Sequence, residues 1–186
     1  MRESKKIEIP LSKAKLAKLF LFSLLFEGAG LWLLIVNPQI SNPVFNNPLF
    51  KGVASSGAII LGVFGIYFYS RKLFDKKPGL VLDERGLYDN TSAFNFGLIP
   101  WEDISQIHER TVRASVFSRQ QFVTIGLVNP DKYILREKSF VKRKLLSVNA
   151  SSYGSPVHLS TNGLKTNHRE LLQMLTTEHT KYKSGN

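Results

Sequence analysis

The chain of 186 residues carries 25 Lys or Arg against 14 Asp or Glu, a net charge of +11, and no cysteine. Without cysteine there are no disulfides and no thiolate metal sites, and His108, His158, His168 and His179 are scattered with no paired ligand spacing. The length accommodates one soluble domain of ordinary size beside a membrane hairpin, and no second one.

Residues 1–18 hold six Lys or Arg against two Glu and read as a cytoplasmic basic juxtamembrane segment. Within it, residues 1–10 form a polar, extended lead-in. Pro10, Leu11 and Ser12 open a helix from which Lys13, Lys15 and Lys18 snorkel to the inner head groups. Two apolar runs follow, Leu19 to Val36 and Gly52 to Ser70. At about 1.5 Å per residue each crosses roughly 27 to 30 Å of hydrocarbon. Residues 19–70 are therefore predicted as a transmembrane hairpin, with spans 19–36 and 52–70 and an external loop over 37–51. The first span is too long, and carries an acid, to be a cleavable signal. Residues 37–50 have no charge, whereas Arg71, Lys72, Lys76 and Lys77 follow the second span. By the positive-inside rule both termini are cytoplasmic, with Lys51 the outward exception. Trp32, Tyr67 and Tyr69 fit aromatic belts at the two interfaces. Asn37-Pro38, Asn42-Pro43 and Asn47-Pro48 recur at a spacing of five and predict turns that hold the loop against the surface.

Glu27 lies near the middle of the first span, where an ionised side chain costs on the order of 3 kcal/mol, so it should face helices or water rather than lipid. Ser23, Glu27 and Gly30 share one helix face, as do Ser55, Ala58, Gly62 and Gly65 in the second span. Small residues permit close helix approach in lipid, so the second stripe reads as the packing face. Two readings of Glu27 remain open. In one, Ser23, Glu27 and Gly30 line a pore around the axis of an oligomer; in the other the hairpin is an anchor, with Glu27 protonated and hydrogen-bonded to Ser55 or Ser56.

From Gly79 the pattern turns to β. Leu80–Leu82 and Leu87–Tyr88 flank Asp83, Glu84, Arg85 and Gly86, a tight hairpin signal. Residues 97–104, then Ile107 and Val112, continue the β pattern, and further strands are predicted over 121–128, 132–136, 140–148 and 156–160, about seven in all. A helix closes the chain from Asn167 to about Lys181, with Asn167 and Glu170 as a capping box and Leu171, Leu172, Leu175 and Tyr182 as its apolar face. The expected class is α+β: a hairpin followed, over 79–186, by a PH-like bent sheet or barrel with a C-terminal helix.

Residues 79–186 carry 14 basic and 10 acidic residues, with the excess concentrated in 131–144. There Lys132, Arg136, Lys138, Lys142, Arg143 and Lys144 interleave with Tyr133 and Phe140, the combination that phosphate neutralisation plus base stacking requires. Arg110, Arg113 and Arg119 extend the patch. Anionic lipid is the competing partner for the same charges. Enzymatic chemistry finds little support: there is no glycine-rich phosphate loop, Glu102 and Asp103 fall on opposite faces of a strand, and Asp89 and His168 read as surface or capping residues. No cofactor is expected.

The segments IPLSKAKL, PGLVLDERGLYDNTS and GLIPWEDISQI resemble the small bacterial two-helix membrane proteins with a cytoplasmic PH-like domain. The architecture is also similar to the transmembrane effectors of anti-phage systems, the Hailong type among them. That resemblance implies a homo-oligomer, a tetramer, in the bacterial inner membrane, acting as a channel rather than an enzyme. Its gating ligand would be an anionic nucleotide made by a partner nucleotidyltransferase, either single-stranded oligodeoxyadenylate or a cyclic oligonucleotide. The alternative is a membrane-anchored interaction module that binds a protein partner or anionic lipid.

Overall fold

The computed structural model describes residues 6–94, 96–113 and 119–185. It separates into two compact units, Lys13–Lys76 on one hand and Met1–Ser12 with Lys77–Asn186 on the other.

The first unit is a helical hairpin of α1 (Lys13–Val36), the single turn α2 (Pro43–Asn46) and α3 (Pro48–Phe74). Both long helices are long and apolar enough to cross a membrane. Their outer surfaces expose Phe22, Leu25, Ile35, Ile60, Leu61 and Phe64, which suits lipid and not water. The Asn-Pro pairs act as helix punctuation. Asn42 and Asn47 are N-caps with Pro at the first helical position, and Asn47 Oδ1 accepts from the Leu49 and Phe50 amides. Asn37, with a positive φ of 45°, follows the last residue of α1. The second helix thus starts four residues before the apolar run at Gly52, because its start is set by a cap and not by hydropathy.

In the second unit a four-stranded antiparallel sheet has the order β1 (Ile7–Ile9), β2 (Leu80–Asp83), β3 (Gly86–Asp89), β4 (Gly97–Pro100). A three-stranded antiparallel sheet follows, β5 (Ile104–Arg113), β6 (Arg119–Leu127) and β7 (Val157–Leu159). The helices are α4 (Pro130–Ile134), α5 (Phe140–Tyr153) and α6 (His168–Gly185). Among the described residues the two sheets do not close into a barrel.

Within the lead-in, Ile7–Ile9 form an edge strand. Ile7, Glu8 and Ile9 pair with Leu82, Val81 and Leu80, so β1 and β2, which bracket the hairpin in sequence, lie side by side. The β2–β3 turn forms as expected: Asp83 Oδ1 accepts from the Arg85 amide at 2.9 Å, and Gly86 adopts a φ of 153° where a Cβ would meet the Pro100 Cα at 2.7 Å. Trp101 and Ile104 are core residues, and the Trp101 indole donates to the Asp83 carbonyl at 2.8 Å.

Two predicted strands are helices. Over 130–134, Asn129 is an N-cap with Pro130 at the first position, and over 140–153, Ser139 caps the start while Gly154, at φ 76°, ends the helix in the left-handed conformation. The apolar residues of 140–148 suggest a strand by composition, but the capping residues around them decide. Glu102 and Asp103 likewise sit in a 3-10 turn, Trp101–Asp103, and not in a strand. The C-terminal helix begins with the expected capping box: the Glu170 amide donates to Asn167 Oδ1 at 3.0 Å and the Asn167 amide to Glu170 Oε2 at 3.3 Å. Its buried face is Leu171, Leu175 and His179, spaced by four, and it packs on β5 and β6.

Candidate functional site

A cavity of about 350 Å³ lies among Phe94, Phe96, α4 and the start of α5. Its charged lining is Arg136, Lys138 and Lys142 against Glu137, and its aromatic lining is Phe94, Phe96 and the edge of Tyr133. The caps on α4 and α5 bring these groups together. Asn129 Oδ1 accepts from the Lys132 amide at 3.3 Å and Ser139 Oγ from the Lys142 amide at 3.4 Å, so two short helices meet at the basic run 136–142. Lys142 Nζ donates to the Ala93 carbonyl at 3.0 Å and ties α5 to the segment carrying Phe94 and Phe96. Those two rings stand 6.0 Å apart and tilted.

Tyr133 and Lys132 anchor the floor. The Tyr133 hydroxyl and the Lys132 ammonium both donate to Asp103 Oδ2, at 2.5 and 2.6 Å. Burial works to raise the Asp103 carboxyl, but these two hydrogen bonds outweigh it and hold the group below its ordinary value. Burial and the Asp103 carboxylate push the Tyr133 phenol up, so it stays neutral. The Arg136 guanidinium lies 5.1 Å from the Tyr133 ring centroid, a cation–π contact that aims it at the cavity.

Of the predicted ligand-binding residues, the structure joins Tyr133, Arg136 and Lys142. Tyr133, only 3% exposed, is a floor and not an open stacking platform. Lys132 is committed to Asp103. Arg143 donates to the Glu137 carbonyl at 3.2 Å and holds the corner between α4 and α5. Phe140 and Lys144 are exposed on α5 and do not line the cavity. Arg113 and Arg119 are cross-strand partners at the end of the β5–β6 hairpin, whose connection, 114–118, lies outside the described residues. Arg110 donates to the Tyr153 carbonyl at 2.9 Å and covers the Tyr153 ring at 4.8 Å. Phe94 and Phe96 take the place expected of Tyr133 and Phe140. Their signal in the sequence is a pair of phenylalanines in a connection, where aromatic residues are not needed for a strand. Asp89, read as surface or capping, is buried and accepts from the Thr91 amide at 2.7 Å.

In the hairpin the two stripes face each other. A methyl at Gly62 would lie 2.8 Å from Glu27 Cβ, one at Gly65 would lie 2.9 Å from Ser23 Cβ, and one at Gly30 would lie 3.0 Å from Ala58 Cβ. Ser23, Glu27 and Gly30 therefore pack on Ala58, Gly62 and Gly65 of the same chain. Glu27 Oε2 is buried with no hydrogen-bond partner, and Ser55, 1% exposed, donates to its own helix at Gly52. The bond from Glu27 to Ser55 or Ser56 that the anchor reading expects is not made.

Two lysines close the hairpin at its ends. Lys51, expected as an outward charge, is only 6% exposed, and its ammonium donates to Pro38 O at 2.6 Å and Asn37 Oδ1 at 3.0 Å. Lys13 donates to Lys72 O at 3.0 Å and Asp75 O at 2.5 Å. Each cation of one helix thus sits at the C-terminal end of the other, where carbonyls and the helix dipole favour positive charge.

No group of three His, Asp or Glu among the described residues is placed to hold a metal. Comparison with protein-family models, curated proteins and solved structures finds no match to this chain.

Proposed function

We propose that this chain is the subunit of an oligomeric inner-membrane channel, gated by an anionic nucleotide bound at the Arg136–Lys138–Lys142 cavity, in the manner of an anti-phage effector. The observation that carries this reading is the cavity itself. Three cations within reach of phosphate, beside two phenylalanine rings within reach of a base, are what a nucleotide requires of a binding site, and among the described residues no metal constellation competes for the role.

The transmembrane hairpin supplies the conducting part. Hairpins related by a rotation axis, a tetramer in the resembled family, enclose the path, and in the conducting arrangement Glu27 swings its carboxylate out of the Gly62 notch into it, where a ring of carboxylates favours cations. The unpartnered Glu27 oxygen supports this, since a membrane carboxylate without a bond is an expensive group for a mere anchor to keep. Ligand occupancy biases the assembly by its differential affinity for the closed and open arrangements. Both termini lie in the cytoplasm, where the product of a nucleotidyltransferase reaches the site.

Titration of the purified full-length protein with single-stranded oligodeoxyadenylate and with cyclic oligoadenylates tests the reading. Saturable, salt-dependent binding that Arg136→Ala and Lys142→Ala each weaken supports it; no binding of any of these nucleotides refutes it.

A further inference from the structure

Helix α5 presents two different faces. Inward it gives Leu146, 1% exposed, and Lys142, which is bonded to Ala93. Outward it gives Phe140 at 76% exposure, Val141 at 65%, Leu145 at 51% and Val148 at 49%. At 3.6 residues per turn those four and Lys144 fall within one arc of about 140°. A soluble surface rarely keeps so many large apolar groups together on one helix without a partner.

The charges around this arc select the partner. Lys144 lies within the arc and is exposed, Arg143 lies just beside it, and from Lys138 to Tyr153 there is no acid. A second copy meeting this face through its own would bring like charges together, whereas an anionic bilayer offers both an apolar phase and counter-charge. We propose that the outward face of α5 is a membrane-surface element, lying in the head-group region of anionic lipid with Phe140, Val141, Leu145 and Val148 dipped below the phosphates and Lys144 at their level.

This goes beyond the nucleotide reading and uses the opposite side of the helix. It separates the two partners that compete for the basic run in sequence: the inward cations serve the cavity, and the outward face serves lipid. Because α5 also forms one wall of the cavity through Lys142 and Leu146, a lipid-held α5 fixes that wall relative to the bilayer.

The chain has no cysteine, so Val148→Cys takes a single environment-sensitive dye in the full-length protein. The labelled protein is placed in nanodiscs of phosphatidylcholine, with or without phosphatidylglycerol. The expected result in anionic discs is blue-shifted emission, quenching by doxyl-labelled lipid, and iodide quenching reduced on the order of tenfold relative to neutral discs. Combining Leu145→Asp with Val141→Asp should abolish all three signals, and since both side chains are exposed the fold is kept. Equal access of iodide in both lipids overturns the proposal. Protection without doxyl quenching that grows with the number of copies per disc also overturns it, and assigns the face to a second copy. Nucleotide plays no part in the readout, so failure here and failure of the cavity reading are separate results.

Discussion

Glu27 fills the notch that Gly62 leaves in α3: a methyl on residue 62 would lie 2.6 Å from Glu27 Oε2 and 2.9 Å from its Cα. The second distance decides the consequence. A side-chain oxygen can rotate away, but the α1 backbone can move only if the helices part. Gly62→Ala is expected to weaken the hairpin by about 1–3 kcal/mol through overpacking, measured by steric-trap unfolding of the full chain in detergent. Gly28→Ala, with nothing within 4 Å of the added methyl, is the matched control and should be neutral or slightly stabilising.

The two lysine clasps should differ in strength. Lys51 is buried, and removing it strands the Pro38 carbonyl, so Lys51→Ala should cost about 2 kcal/mol. Lys13 is exposed, and Lys13→Ala should cost only about 0.5 kcal/mol. The same unfolding measurement ranks them, and amide exchange at residues 37–40 should rise in the Lys51 variant alone.

In the cavity, phosphate and base contacts should separate by salt. Arg136→Ala and Lys142→Ala should each flatten the salt dependence of oligodeoxyadenylate binding by about 0.7 in log–log slope. Phe94→Ala and Phe96→Ala should lower affinity by about 1–3 kcal/mol and leave that slope unchanged. Arg113→Ala and Arg119→Ala, which lie away from the cavity, should change neither quantity.

This division also measures how far the site was legible in sequence. The density of cations in 131–144 located the region, and Arg136 and Lys142 were among the residues named. Composition cannot distinguish which side chains point inward, because that follows from helical phase, and the apolar residues of 132–136 and 140–148 suit a strand's period of two as readily as a helix's 3.6. The caps Asn129 and Ser139 were the available correction. In the hairpin, the stripes of small and polar residues were visible, but sequence cannot tell whether such a stripe meets its own partner helix or a neighbouring subunit. The pairing of β1 with β2 was not legible at all, since it joins residues on opposite sides of the hairpin and three residues carry little pattern.

Acid should loosen the β-rich unit through His158 and His179. Burial lowers both from the ordinary value of 6.5, and His179 Nε2 lies 3.0 Å from the Ile104 carbonyl. With a folded pKa below the unfolded one, the unfolded state takes up protons first, so stability is full above 6.5 and declines as pH falls from there toward the depressed values. Thermal melts followed by near-ultraviolet circular dichroism of the full chain should show the midpoint falling over that window. His158→Gln should flatten the decline; an unchanged profile would remove this histidine from the account.

The most direct test of the account is planar-bilayer recording of the purified full-length protein, with oligodeoxyadenylate or a cyclic oligoadenylate added to each side in turn. The account predicts a cation-selective current that one of these nucleotides switches, an unswitched current in the Arg136→Ala, Lys142→Ala double variant, and reduced cation selectivity in Glu27→Gln. Absence of current under every condition, or a current indifferent to all these nucleotides in the unaltered chain, would contradict it.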